Sequence, residues 1–256
     1  MSQQNNIRIL QVVFNLPLHP KQISRWRGAF LEMGAWTEDF FHNHKDDNYH
    51  YRYPLIQYRV YRGKAMILAI NEGVEALQRV LGNNKWELNW DGETFPLRIE
   101  DLKMREAHFA MLETPKLYLV EDWLALNEDN YKLWQKAPNL VARIQILEKL
   151  LANQLLALCK GLGYQLPERL EVNIQHLKKT RKLSLHGAGR VAFDVHFDAN
   201  IFLPPGLAFG KGVSHGFGRQ FPYRKKRPQN RSLPQEENAA FFVEESFSTN
   251  DTTHDF

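Results

Sequence analysis

Residues 206–218 read GLAFGKGVSHGFG, with glycine at Gly206, Gly210, Gly212, Gly216 and Gly218. Two Gly-x-Gly units flank Val213, Ser214 and His215. Glycine reaches positive φ without steric cost and lets a second backbone come close, so this density predicts a loop built around something. A nucleotide P-loop needs four residues between its first glycine and a Gly-Lys pair, then Ser or Thr after the lysine. Here three residues separate Gly206 from Gly210, and Gly212 follows Lys211, so the P-loop is excluded. A backbone cradle for another phosphate-bearing partner remains, as does a tight structural crossing.

The charge pattern points the same way. Residues 1–159 hold 19 basic and 19 acidic side chains, residues 219–256 hold 6 and 6, and residues 160–218 hold 8 and 4. The whole net charge of +4 therefore sits in the segment that contains the glycine loop. Its densest part is Lys178-Lys179-Thr180-Arg181-Lys182. Localised positive charge beside a backbone cradle fits a polyanion, and the polyanion with repeating phosphates is nucleic acid. A solvated hairpin tip carries lysines for no such reason, and charge alone does not separate the two.

Composition bounds the rest. A chain of 256 residues, 43% hydrophobic and 24% charged, can bury a core in one large domain or two small ones. No apolar run reaches membrane-span length and no signal-peptide pattern opens the chain, so the cytoplasm is the expected compartment. The single cysteine, Cys159, excludes an internal disulfide and a multi-cysteine zinc site.

Hydrophobic period orders the elements. Residues 7–14 read as a strand, and Ile23, Trp26, Phe30 and Met33 recur at helical spacing up to Gly34. Residues 58–70 are strand-like around a turn at Arg62-Gly63-Lys64, and Asn71 opens a helix that stops at Gly82. Strand, helix, strands, helix is the order of a ferredoxin-like half. A second half follows: strand-like segments over 104–120, helix or irregular structure over 122–136, and a long helix over 140–162 that is apolar on most of its surface. Residues 170–174 and 183–185 bracket the basic run as a hairpin tip, and Val191, Phe193, Val195 and Phe197 alternate as a strand with one face outward. The expected organisation is α+β, with halves at 1–98 and 99–218 and a disordered tail over 219–256.

These residues carry a family resemblance. GKGVSHGFG near the end of a two-part α+β chain resembles the glycine-rich signature of the RAMP superfamily of CRISPR-associated proteins. FHNHKDDNYHYRYPLIQYR, residues 41–59, resembles the N-terminal half of its repeat-processing endoribonucleases, the b-type subgroup in particular. The likeness covers roughly residues 1–218. It implies tandem ferredoxin-like (RRM-like) halves and cutting of precursor CRISPR RNA within each repeat, with no metal and no cofactor. It also implies catalytic roles for His42, His44 and Tyr51; Lys45 and Arg52 offer positive charge nearby and are expected RNA contacts. Further RNA contacts are expected at Lys178, Lys179, Arg181 and Lys182, and in the loop at Gly210, Lys211, Gly212, Ser214, His215, Gly216 and Gly218. Other CRISPR-associated proteins of an effector complex are candidate partners, and a homodimer is open.

The residue chemistry stands beside the resemblance. RNA supplies its own nucleophile, the 2′-hydroxyl, if a base removes its proton and an acid protonates the leaving 5′-oxygen. The products are a 2′,3′-cyclic phosphate and a 5′-hydroxyl. Histidine suits both roles because its ordinary pKa, about 6.5, lies near working pH. In an extended segment His42 and His44 point to the same side, and Tyr51 adds a phenolic donor. Which histidine is acid and which is base stays open. Some relatives carry a lysine in the site; residues 34–40 contain none, so the phosphate-stabilising cation also stays open. Two readings compete: a non-catalytic RAMP subunit that binds guide RNA, and a metal-dependent hydrolase using His42 and His44 with Asp194, His196 and Asp198.

Overall fold

The computed structural model describes residues 6–35, 53–82, 86–185 and 187–223. The chain begins with β1 (Asn6–Pro17), then α1 (Ile23–Phe30), β2 (Ile56–Tyr61), β3 (Lys64–Ile70) and α2 (Glu72–Gly82). A short ribbon of β4 (Glu87–Trp90) and β5 (Glu93–Pro96) leads into β6 (Ile99–His108). The first sheet has the antiparallel order β2-β3-β1-β6. β1 is central and buried on both faces, which is why it reads as a nearly continuous apolar run. On one face Leu10, Val12 and Phe14 pack with Trp26 and Phe30 of α1 and with Val74 and Leu77 of α2. The Phe14 and Trp26 ring centroids lie 5.3 Å apart. On the other face Ile7 and Ile9, with Leu68 and Ile70 of β3, enter the core of the second half.

That half runs β7 (Ala110–Trp123), α3 (Glu128–Lys136), α4 (Leu140–Gly161), β8 (Val172–Leu185), β9 (Ala188–Phe202) and β10 (Arg219–Pro222). Its sheet order, β10-β7-β9-β8, repeats that of the first: the fourth strand beside the first, then the third and second. This is the tandem ferredoxin-like arrangement, with one substitution. Where the first half places α2 between its third and fourth strands, the second half places the glycine loop. Helix α4 is capped by Asn139, whose side-chain oxygen accepts from the Ala142 N–H at 2.9 Å. Leu147, Leu151, Leu155 and Leu158 form its buried stripe, packed in one core with Phe193, Val195 and Phe197 of β9. No helix among the described residues is long and apolar enough to cross a membrane.

Several expectations need correction. Residues 99–108 complete the first sheet by pairing with β1 rather than opening the second half. The basic run 178–182 is no hairpin tip: β8 is continuous through it, paired to β9 from Val172↔Ala199 to Leu185↔Ala188. Arg219–Pro222, assigned to the tail by composition, is a strand paired to β7. The long helix buries a stripe rather than most of its surface, leaving Leu140 and Val141 exposed. Asn71 opens α2 with its backbone carbonyl, which accepts from Val74, while its side chain accepts from the Arg8 N–H on β1. The outer face of β9 is not simply solvated, since Asp194 on it is buried.

Candidate nucleic-acid interface

All five loop glycines adopt positive φ, from +69° at Gly218 to +94° at Gly210. The loop is therefore a sequence of left-handed turns, with Val213–His215 forming one turn of 3₁₀-helix between Gly212 and Gly216. It is also a tight crossing. A Cβ on Gly218 would lie 1.9 Å from the Phe209 carbonyl oxygen, so the two arms of the loop touch backbone to backbone. Phe209 N–H donates to Gly218 C=O at 3.0 Å, and Gly218 N–H donates to Asp122 C=O at 3.2 Å. Leu207, Ala208, Phe209 and Val213 are buried beneath. The N–H groups of Gly212, Val213 and Ser214 meet no backbone carbonyl among the described residues. Crossing and cradle are thus both compatible with this backbone. His215 is buried, with Nδ1 3.1 Å from Ser214 Oγ, so its ring is a packed group rather than a surface one.

The basic residues divide. Lys178, Lys179 and Lys182 are exposed along β8, and Lys211 is half-buried in the loop. Burial, and then the Arg190 charge, lowers the Lys211 pKa, with Glu128 opposing. Arg181 differs: its guanidinium meets Asp194 at 2.7 Å and also pairs with Asp122. Asp194 accepts a further bond from the Asp122 N–H at 2.9 Å. Arg181 thus staples β8 to β9 and β7, and its charge is already matched. Asp198 accepts from Asn173 at 3.0 Å and from Gln175. The two carboxylates that the metal reading would draw on from β9 therefore have other partners, and no group of three metal-ligating side chains occurs among the described residues.

This staple makes a pH prediction. Burial raises the Asp194 pKa, but the Arg181 hydrogen bond and the Asp122 N–H outweigh it, so the net shift is downward. A carboxyl depressed in the folded state stabilises above its unfolded pKa, about 3.9, and that contribution disappears as pH falls through the folded value. Asp194→Asn is expected to cost about 1–3 kcal/mol at pH 7. The gap from the wild type should narrow in melts below about pH 4. A gap that stays constant from pH 7 to pH 3 would refute the assignment.

His42, His44, Lys45, Tyr51 and Arg52 lie outside the described residues, as does the chain beyond Tyr223. The chain is described again from Tyr53, where the structure holds a network that sequence reading did not single out. Tyr53 Oη donates to the Ala208 carbonyl at 2.8 Å and accepts from Gln57 Nε2 at 3.0 Å. Arg59 Nη1 donates to the Gly206 carbonyl at 2.6 Å, and Nη2 to Gln57 Oε1. Arg59 is only 3% exposed, and no carboxylate pairs with it among the described residues. Burial first, and then the Arg219 and Arg105 charges, lowers its pKa to about 9, with Tyr53 opposing. The available signal was Gln57 and Arg59 alternating with Ile56, Tyr58 and Val60, which marks a polar pair on one face of β2. A second unforeseen group lies on the outer face of the second sheet. The His196 ring centroid is 4.2 Å from that of Tyr223 and 5.8 Å from that of His176. Lys178 lies close enough to join burial and His176 in lowering the His196 pKa.

Comparison with known proteins agrees with this architecture. The Cas6b N-terminal domain model matches residues 5–108 and the Cas6b C-terminal domain model matches residues 111–220. A crystal structure of Cas6b superposes with a TM-score of 0.74 at 25% identity, over 85% of this chain and 100% of that one. A second, of the CRISPR RNA processing endoribonuclease Cas6b, gives 0.65 at 22% identity over the same shares. Csf5, a type IV Cas6 crRNA endonuclease, shares the fold at 0.52 and 16% identity, over 86% of this chain and 100% of that one. An uncharacterized protein of Methanocaldococcus jannaschii is 30% identical over 133 residues, which are 52% of this chain and 89% of that protein. With the N-terminal domain model on the first sheet and the C-terminal one on the second, the chain belongs to the Cas6b family.

Proposed function

We propose that this chain is an endoribonuclease that cuts precursor CRISPR RNA within its repeats, without metal, by attack of the RNA 2′-hydroxyl. Family membership supports the substrate class, since a solved Cas6b is a CRISPR RNA processing endoribonuclease. The observation that carries the reading is the Tyr53–Ala208 hydrogen bond, 2.8 Å long. It joins the residue that directly follows the His42–Arg52 stretch to the glycine loop. The chain that leaves this stretch therefore meets, at Tyr53, the loop whose backbone is able to hold phosphate.

In this reading His42 and His44 exchange the two protons, and Tyr51 donates to the phosphate or the 2′-oxygen. Lys45 and Arg52 supply charge nearby. Lys178, Lys179 and Lys182 hold the repeat backbone along β8, and Lys211 with the Gly210–Gly218 loop, Ser214 included, meets phosphate. Arg181 contributes through the strand it staples, and His215 through the loop it supports.

The test is cleavage of a repeat RNA in excess EDTA, beside a matched RNA with one 2′-deoxy nucleotide at the cut. Cutting of the first and not the second, with a 2′,3′-cyclic phosphate on the upstream product, is the expected result. Tight binding with no cut in either EDTA or magnesium moves the chain to the guide-binding class. Cutting that requires magnesium overturns the mechanism.

A further inference from the structure

We propose that Arg59, acting through Gln57 and Tyr53, is a positioning strut that seats the glycine loop on β2 and so sets the geometry in which RNA is cut. The second clause rests on the nuclease reading; the first does not. Three contacts converge on this short stretch of chain. Arg59 holds the Gly206 carbonyl, Tyr53 holds the Ala208 carbonyl, and Gln57 links the two side chains. The loop returns to the same strand at Gly216, where a Cβ would lie 3.2 Å from the Tyr58 carbonyl oxygen and 3.9 Å from Arg59 Cα. Tyr53 is itself immobilised from behind: a Cβ on Gly161, the last residue of α4, would lie 2.4 Å from Tyr53 Cβ. The strut therefore ties the loop, β2 and the end of α4 together.

The chemistry of Arg59 argues for position rather than stability. Among the described residues no carboxylate offsets the burial of this guanidinium, and an apolar side chain of similar volume packs such a site more cheaply. Its Nε has no acceptor among the described residues. Arg105 reaches the same turn, donating to the Pro205 carbonyl at 2.6 Å, and adds a like charge instead of relieving the first. What Arg59 provides that an apolar group does not is direction. Its planar fork fixes the Gly206 carbonyl and the Gln57 amide in one plane, and Gln57 in turn orients the Tyr53 hydroxyl. The loop cannot then slide along β2 without breaking charge-assisted hydrogen bonds.

The full chain carrying Arg59→Met, Arg59→Lys or Tyr53→Phe tests this by two independent measurements. Amide hydrogen exchange reads the loop directly. In Arg59→Met the amides of Gly206, Phe209 and Gln220, all bonded across the loop, should exchange at least about tenfold faster while those of α2 and β3 keep their rates. Single-turnover cleavage at saturating protein reads the reaction. Arg59→Met should slow it about 10–100-fold with repeat affinity held within about threefold, because a displacement on the order of 1 Å costs rate without costing binding. Tyr53→Phe should lie between Arg59→Met and wild type, and Arg59→Lys should restore only part of the loss, since an ammonium lacks the fork. Unchanged loop exchange in Arg59→Met overturns the strut. A loosened loop with an undiminished rate, or a rate that falls only in step with affinity, overturns its positioning role. A wild-type chain that binds repeat RNA and never cuts it sinks the nuclease reading alone; the strut is then judged on exchange rates.

Discussion

His44→Ala is expected to slow cleavage of repeat RNA by about 10²–10⁴-fold, the usual contribution of one proton-transfer group. Affinity for the repeat should hold within about threefold, since the loss is of an interaction made in the transition state. His42→Ala should fall in the same range, and the double variant should be little worse than either single one, because two groups that serve one phosphate act as a unit. Rate against pH then separates their roles. A base must be neutral and an acid protonated, so the wild-type profile should be bell-shaped about the ordinary histidine pKa, near 6.5, and each variant should lose one limb. The lost limb names the role that sequence reasoning left open. Variants of both histidines that cut at the wild-type rate would refute the assignment, and variants that lose binding in proportion to rate would make this stretch a grip rather than a catalytic pair.

The legible and illegible parts of this chain divide along local and non-local lines. α2 follows from its period and β1 from its apolar, β-branched run, because each has a face filled by its own half, as Leu77 and Phe14 show. β8 was misread for a physical reason. It is an edge strand, so Lys178, Lys179 and Lys182 remain exposed, and bulges between Ile174 and His176 and between Leu177 and Lys179 shift its alternation. β10 has only four residues, one of them Pro222, and reads as tail until β7 is there to pair with it. The role of Arg181 depends on Asp122, 59 residues away, which no local pattern reveals. The glycine loop shows the same limit. Its spacing announced a special backbone, but the side chains that hold its Gly206 and Ala208 carbonyls, Arg59 and Tyr53, lie more than 140 residues upstream.

The loop's own backbone makes the second large prediction. Gly218→Ala should destabilise the chain on the order of 3–5 kcal/mol, from overpacking together with the left-handed conformation. The added Cβ would sit 1.9 Å from the Phe209 carbonyl oxygen, a contact no side-chain rotation can relieve because the backbone fixes the Cβ and the oxygen is itself backbone. Moving either arm breaks the Phe209–Gly218 bond and pulls Gly218 from Asp122, which loosens β10 from β7. Against a typical domain stability of about 5–15 kcal/mol this is a large fraction, and a melting point lower by about 10 °C follows. Gly92→Ala is the control. Gly92 has a similar φ, +83° against +69°, but a Cβ there meets nothing within 4 Å. It carries the conformational cost alone, about 1–2 kcal/mol. The difference between the two melts isolates the steric cost of the crossing. Equal melting points would mean that the loop arms can part freely, and a loop that parts freely could hold neither the Gly206 carbonyl on Arg59 nor a phosphate in one place.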